Sequence, residues 1–172
     1  MEIKKGISNI PVFFRPYLKK FLDFFKERLK DNLISIIIYG SVARGTWNEY
    51  SDIDLLTILS NEFFKKHDDK EISKFIIDFY KLSKQEKFYH KYKFHSLQLL
   101  SLSLAELDRF RTLFYDVALD GIILYDPRGV GSNLIKKYQK EIEKKNIKRI
   151  FINGNDFYWK RKNVKFGETV EL

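Results

Sequence analysis

Two apolar runs, Leu33 to Tyr39 and Leu55 to Leu59, flank a segment that opens with Gly40-Ser41 and closes, after ten intervening residues, with Asp52-Ile53-Asp54. A continuous isoleucine-rich run such as the first is what a central strand covered on both faces looks like. Strands of that kind call for a sheet with helices packed against it. The segment between them reads as a glycine turn, a short helix and a loop, with the second strand running from Asp52 to Leu59. Residues i and i+2 of a strand share a face. Asp52 and Asp54 are therefore expected to project together, while Ile53 and Leu55 point the other way into a core.

Both halves of this segment suit phosphoryl chemistry. Two carboxylates side by side repel, and burying them without a partner is costly. A divalent cation relieves that cost, and hard oxygen ligands suit Mg²⁺ or Mn²⁺. Mg²⁺ is commonly held by one or two carboxylates plus substrate phosphates. The Gly40-Ser41 half reads as a phosphate cradle. Glycine after a strand lets the backbone approach a ligand closely. The Ser41 hydroxyl and the first N–H groups of the next turn can donate to phosphate oxygens. Arg44 adds a cation on the same turn, and Gly45 is placed to end it. Either half alone is a common pattern; both together, at this spacing and between apolar strands, are specific.

At these residues the chain resembles the nucleotidyltransferase superfamily with the DNA polymerase beta-like fold, above all its minimal single-domain archaeal and bacterial members. Gly40-Ser41, Asp52 and Asp54 match the Gly-Ser and Asp-x-Asp of that family, and Ala43-Arg44-Gly45 is similar to its minimal members. Leu119 to Asp126, and the tail from Asp156 to Lys160 and from Phe166 to Leu172, resemble segments of their second halves. The resemblance implies an α/β (α+β) fold, a small mixed sheet with packed helices followed by a C-terminal helix and hairpin. It implies transfer of a nucleoside monophosphate from a nucleoside triphosphate, ATP being expected, to an acceptor hydroxyl with release of pyrophosphate. Asp52 and Asp54 would be the catalytic metal ligands for Mg²⁺ or Mn²⁺, and Gly40, Ser41 and Arg44 would bind the triphosphate.

There is one departure from the family pattern. Active members commonly carry a third carboxylate on a later strand, expected here at Ser96 to Leu102, and Gln98 falls at that position. An amide is a poorer metal ligand than a carboxylate. His95 and Glu86 are the remaining candidates for a proton acceptor, with a structural role favoured for His95. The acceptor substrate stays open between protein and RNA. Two other readings stand beside transfer: an antitoxin-like protein that binds or modifies a small helical partner, and a nucleotide- or nucleic-acid-binding module with little turnover.

The length, 172 residues, suits one domain, with a core over about residues 15–125 and a C-terminal extension over about 126–172. Without cysteine, disulfides and thiolate metal sites are excluded. No apolar stretch reaches the roughly 18 residues of a membrane helix, and residues 1–6 lack the apolar core of a signal peptide. No membrane association is expected, and a cytoplasmic protein is the simplest reading. The formal charge is +9, and residues 134–166 hold eleven basic against three acidic side chains. A basic stretch beside Phe157, Tyr158 and Trp159 could hold a nucleic acid. The favoured reading is plainer: Lys136 to Arg149 form the wet face of a surface helix.

Periodicity predicts further helices: one with Tyr17, Phe21, Phe24, Phe25 and Leu29 on one face, one capped by Asp68 or Asp69 with Ile72, Phe75, Ile76, Phe79 and Tyr80 on one face, and one carrying Leu134, Ile135, Tyr138 and Ile142. A capping box at Ser103 to Glu106 predicts a helix running on through Leu107, Phe110, Phe114 and Val117. Tyr92 to Leu102 and Ile122 to Tyr125 read as strands, and Phe151-Ile152 with Phe157 to Lys160 as a hairpin.

Overall fold

The computed structural model describes residues 1–153 and 156–161. Two of the three residues expected in the hairpin turn, Gly154 and Asn155 of Asn153-Gly154-Asn155, and the tail segment of the resemblance beyond residue 161, lie outside the described residues. In chain order the elements are β1 (Lys4–Lys5), α1 (Arg15–Leu29), β2 (Leu33–Tyr39), α2 (Gly40–Arg44), β3 (Ile53–Leu59), α3 (Asn61–Lys66), α4 (Asp69–Lys84), β4 (Leu97–Ser103), α5 (Leu113–Asp120), β5 (Ile122–Tyr125), α6 (Val130–Lys144), β6 (Ile147–Asn153) and β7 (Asp156–Arg161). Five strands form one mixed sheet in the order β1-β5-β2-β3-β4, and β6 and β7 form a separate antiparallel pair. β2 lies at the centre, antiparallel to both β3 and β5, while β4 runs parallel to β3 and β1 parallel to β5.

Both faces of this sheet are covered, which is what the unalternating apolar runs demand. On one face Ile36, Ile38, Ile53 and Leu55 pack against the buried stripe of α1 (Tyr17, Leu18, Phe21, Phe25) and against Phe79 of α4. On the other face Ile37, Leu56 and Ile58 pack against Phe114 and Val117 of α5 and against Leu134, Ile135 and Tyr138 of α6. Aromatic geometry fixes the first layer: Tyr17 stacks on Tyr92 at 4.7 Å, and Phe21 meets Phe79 edge-on at 5.5 Å. In the second layer α6 lies so close to β2 that a Cβ on Gly131 would overlap the Ser35 hydroxyl and stand 3.1 Å from Ile37 Cδ1. The Asp126 carboxylate caps α6, accepting from the Gly131 and Ser132 N–H groups at 2.9 Å each. The lysines of α6 are exposed, as a wet helix face requires.

Four local expectations change. The second strand begins at Ile53, whose N–H donates to the Ser96 carbonyl at 2.8 Å, so Asp52 stands just before the ladder. β4 begins at Leu97 rather than Tyr92. Tyr92 closes a 3-10 turn over Lys87–Tyr92, and its buried ring donates its hydroxyl to the Phe13 carbonyl at 2.7 Å. The capping box at Ser103 and Glu106 forms, but it caps a 3-10 turn over Leu104–Asp108; Arg109 is extended and α5 starts afresh at Leu113. Helical spacing of apolar residues does not distinguish one helix from two pieces packed on the same core. Finally, β1 and α3 were not foreseen. β1 is two exposed lysines, paired through the backbone with β5 and with the Asn9 side chain donating to the Lys5 carbonyl, and α3 is set by Ser60, whose hydroxyl accepts from the Phe63 N–H at 3.1 Å.

Among the described residues no helix is long and apolar enough to cross a membrane. The double-sided core makes a direct prediction. Phe79→Ala empties a fully buried site between α1 and α4 and should cost about 3–5 kcal/mol in urea unfolding. Ile77→Ala, on the exposed side of the same helix, should stay within about 0.5 kcal/mol. Equal losses would mean that α4 does not bury the face assigned to it.

Candidate active site

The site is built where β2 ends beside the start of β3. Tyr39 is the cross-strand partner of Asp54. Directly after it, Gly40 takes φ +72°, and α2 leaves the sheet. This angle is rare for any residue with a side chain, and a second constraint is stronger. A Cβ on Gly40 would overlap the Asp54 carboxylate and stand 2.9 Å from its Cγ. Glycine is thus required because backbone and carboxylate share one space. α2 has no side-chain cap at its N-terminus, and Gly45, at φ +79°, closes it with its N–H on the Ser41 and Val42 carbonyls. Ser41 lies on the first turn of α2 beside Gly40, half-buried, and Arg44 on the last.

Asp52 owes its position to its neighbours. Ile53 is pinned to Ser96, and the Ser51 carbonyl lies 2.7 Å from His95 Nδ1, which must carry the proton because a carbonyl only accepts. The His95 ring is 4% exposed and stands edge-on to Phe13, Phe14 and Trp47. Within the loop the Asn48 side chain accepts from the Tyr50 N–H at 2.9 Å, and Trp47 stacks on Phe13 at 5.4 Å. His95 is therefore a clamp on the loop that carries Asp52, the structural role favoured for it. Glu86 is ion-paired with Lys20.

Ile53 and Leu55 are fully buried on one face, and Asp54 is half-buried on the opposite one, as strand alternation requires. Burial pushes the Asp54 carboxyl up to about 6; repulsion from Asp52 adds to this, and the Arg44 charge works against it. The Tyr39 hydroxyl is pushed up to about 12, by burial first and then by the negative charges of Asp54 and Asp116. Among the described residues Asp52 and Asp54 have no hydrogen-bond or ion-pair partner, and no third carboxylate or histidine joins them in a metal-binding cluster. Gln98 lies on β4 in direct register with Asp54, exposed, at the position expected for it. Two uncompensated carboxylates that repel each other, one of them held beside a glycine turn, fit a hard divalent cation whose remaining ligands come from phosphate oxygens.

Arg44 is not free on its turn. Its Nη1 donates to Asp120 Oδ2 at 3.3 Å, and its guanidinium lies 5.2 Å from the Phe157 ring. Asp120 belongs in turn to a cluster not anticipated from sequence: Asp116 and Asp120, one turn apart on α5, both accept from Arg149 of β6. Burial raises the Asp116 pKa, and Arg149 opposes the rise. The expectation that Arg149 belongs to a wet helix face is corrected. α6 ends at Lys144, and the Arg149 side chain, on an inward position of β6, is 9% exposed. Its signal was present as the Asp-x-x-x-Asp spacing on one helix face and an arginine at alternating register in a strand. Phe157 and Trp159 are packed over Arg149, leaving Tyr158 outward at 47% exposure.

A carboxylate pair with one member against a glycine turn on the neighbouring strand is an arrangement that can hold a metal-bound phosphate. The chain belongs to the nucleotidyltransferase domain family, whose profile matches residues 18–170, and is thereby a nucleotidyltransferase. It is 32% identical over 154 residues to "Putative protein adenylyltransferase MJ1305" of Methanocaldococcus jannaschii, which covers 87% of this chain and 91% of that protein. A second protein of that organism with the same description, MJ0604, is 37% identical over 46 residues, 27% of this chain and 46% of that one. Among solved structures, a toxin-antitoxin crystallised with AMP-PNP is similar at a TM-score of 0.46 and 15% identity, over 74% of this chain and 91% of that one.

The Asp54 environment sets a pH dependence. Its folded pKa lies above its ordinary value of 3.8, at about 6. The stability this group adds is therefore complete below about pH 4 and lost as pH rises through about 6. Asp54→Asn mimics the protonated form at every pH. In EDTA, the melting temperature of Asp54→Asn minus that of the unsubstituted protein should grow between pH 4 and 7 and then level off. A constant difference across that range would contradict the assigned environment.

Proposed function

We propose that this nucleotidyltransferase moves the adenylyl group of ATP onto a hydroxyl of another protein, in the presence of Mg²⁺ or Mn²⁺. The acceptor oxygen bonds to the α-phosphorus, the bond from that phosphorus to the bridging oxygen breaks, pyrophosphate leaves with the bonding electron pair, and the hydroxyl proton passes to solvent. The observation that carries this reading is the close approach of the Gly40 backbone to the Asp54 carboxylate, which brings the uncapped start of α2 and a potential metal ligand together. Asp52 and Asp54 would hold the metal, which when bound supplies charge neutralisation and orientation of the triphosphate. Gly40 and Ser41 would contact phosphate oxygens at the uncapped start of α2, and Arg44 would add positive charge beside them. Gln98 can hydrogen-bond an incoming hydroxyl through its carbonyl oxygen but cannot take the proton. Its neutrality leaves Asp52 and Asp54 without a third carboxylate in a metal-binding cluster among the described residues.

Protein as the acceptor is supported by the description of the relative that matches most of this chain. RNA as acceptor is less favoured. The aromatic residues that would stack on bases are partly consumed by Arg149, which lies 4.6 Å from Phe157 and 5.0 Å from Trp159.

The test is incubation of the purified protein with ATP labelled at the α-phosphate, Mg²⁺ or Mn²⁺, and a lysate of its own source. Label should appear on a protein band and resist RNase. Asp52→Asn and Asp54→Asn should each reduce labelling by about 10²-fold or more, because each removes a metal ligand worth several kcal/mol in the transition state. Labelling that survives both substitutions would refute the assignment, and label confined to RNA would refute the acceptor.

A further inference from the structure

We propose that Arg149, on the C-terminal hairpin, is a positioning residue for the nucleotide site: by saturating Asp120 it keeps Arg44 available to the triphosphate. The inference rests on the nucleotide reading of the site given above. Two arginines meet one carboxylate here. Arg149 grips Asp120 with both prongs, Nη1 to Oδ1 at 3.0 Å and Nη2 to Oδ2 at 2.7 Å, and reaches Asp116 Oδ1 at 3.1 Å. Arg44 has one longer contact, 3.3 Å, to the same Oδ2 that Arg149 holds at 2.7 Å. Bidentate, short contacts of this kind are the strong ones. The competition is settled in favour of Arg149, whose guanidinium also lies 4.6 Å from the Phe157 ring and 5.0 Å from the Trp159 ring. Among the described residues Arg44 makes a single hydrogen bond, through Nη1, and its charge is felt at Asp54.

Removing Arg149 reverses the outcome. Asp116 and Asp120 would be left as two largely buried carboxylates, with Arg44 still paired to Asp120. An uncompensated buried charge is expensive, so Arg44 should close on Asp120 with both prongs, and its charge should be spent there rather than felt at Asp54. The hairpin is distant in sequence from the Gly40-Ser41 turn. Through this one carboxylate it becomes part of the nucleotide site.

The experiment compares four full-length proteins: the unsubstituted chain, Arg149→Met, Arg149→Lys and the Arg149→Met/Asp120→Asn double variant. Calorimetry gives the affinity of each for the α,β-methylene analogue of ATP with Mg²⁺, and crystal structures give the position of Arg44. Arg149→Met should bind about tenfold or more weakly, the cost of losing one charge-assisted contact to phosphate. It should show Arg44 on both Asp120 oxygens. The double variant, with no charge on Asp120 to capture Arg44, should recover to within about threefold of the unsubstituted chain. Arg149→Lys, which keeps the charge and loses the fork, should fall between; it carries the test if Arg149→Met does not fold. Unchanged binding in Arg149→Met would overturn the proposal. So would equal weakening in the single and double variants, because that marks Arg149 as a mere anchor for the hairpin. If the unsubstituted chain does not bind the analogue, the nucleotide reading fails by itself. The position of Arg44 in Arg149→Met then decides the inference, and an unmoved Arg44 overturns it.

Discussion

The space left by the missing Cβ of Gly40 is filled by the Asp54 carboxylate, and the rest of the site follows from that contact. To put a backbone turn and a half-buried acid in one place, the chain needs β2 and β3 adjacent and antiparallel, in a register that sets Tyr39 against Asp54. That register is held by burying both strands on both faces, which requires α1 and α4 on one side and α5 and α6 on the other. A slip of one residue would turn Asp54 into the α1 side of the core and Leu55 out of it. The cost of burying an acid beside a second acid is thus met by the whole sheet. It leaves a pair of carboxylates whose charge is unmatched by any contact among the described residues.

Around that pair the positive charge is graded. The α6 lysines face solvent and are far from specific. Arg149 is consumed by Asp116 and Asp120. Arg44 lies between these extremes, tethered by one long contact to Asp120 and acting on Asp54 through space. A cation in that intermediate state can contribute to ligand binding, because it is positioned without being neutralised. The +9 charge of the chain therefore says little about the site, whereas the partners of two arginines say much.

Much of this was legible in the residues. The isoleucine run gave β2 without ambiguity, and period-two alternation put Ile53 and Leu55 in the core and Asp54 on the other face. The glycine at the end of a strand gave the turn, and Gln98 fell in register with Asp54 because β4 lies parallel to β3 over its full length. What could not be read were features that depend on contacts between distant segments. Asp52 precedes the ladder because Ser96, more than forty residues away, pairs with Ile53. The pattern from Leu107 to Val117 fits one helix on paper, yet the capping box is spent on a 3-10 turn before α5 begins. Arg149 sits in a lysine-rich stretch and looks like its neighbours; only β6–β7 pairing turns it inward against α5. Local propensity and alternation mark which face a residue takes, not which distant segment it meets.

The central claim is that the Gly40 turn and the Asp52–Asp54 pair form one site for a metal-bound triphosphate. A crystal structure of the protein with Mn²⁺ and a non-hydrolysable ATP analogue, with anomalous scattering to locate the metal, tests it most directly. The account predicts an anomalous peak within coordination distance of both aspartates, with triphosphate oxygens against Gly40 and Ser41. A metal bound elsewhere, or a triphosphate seated away from the start of α2, would contradict it.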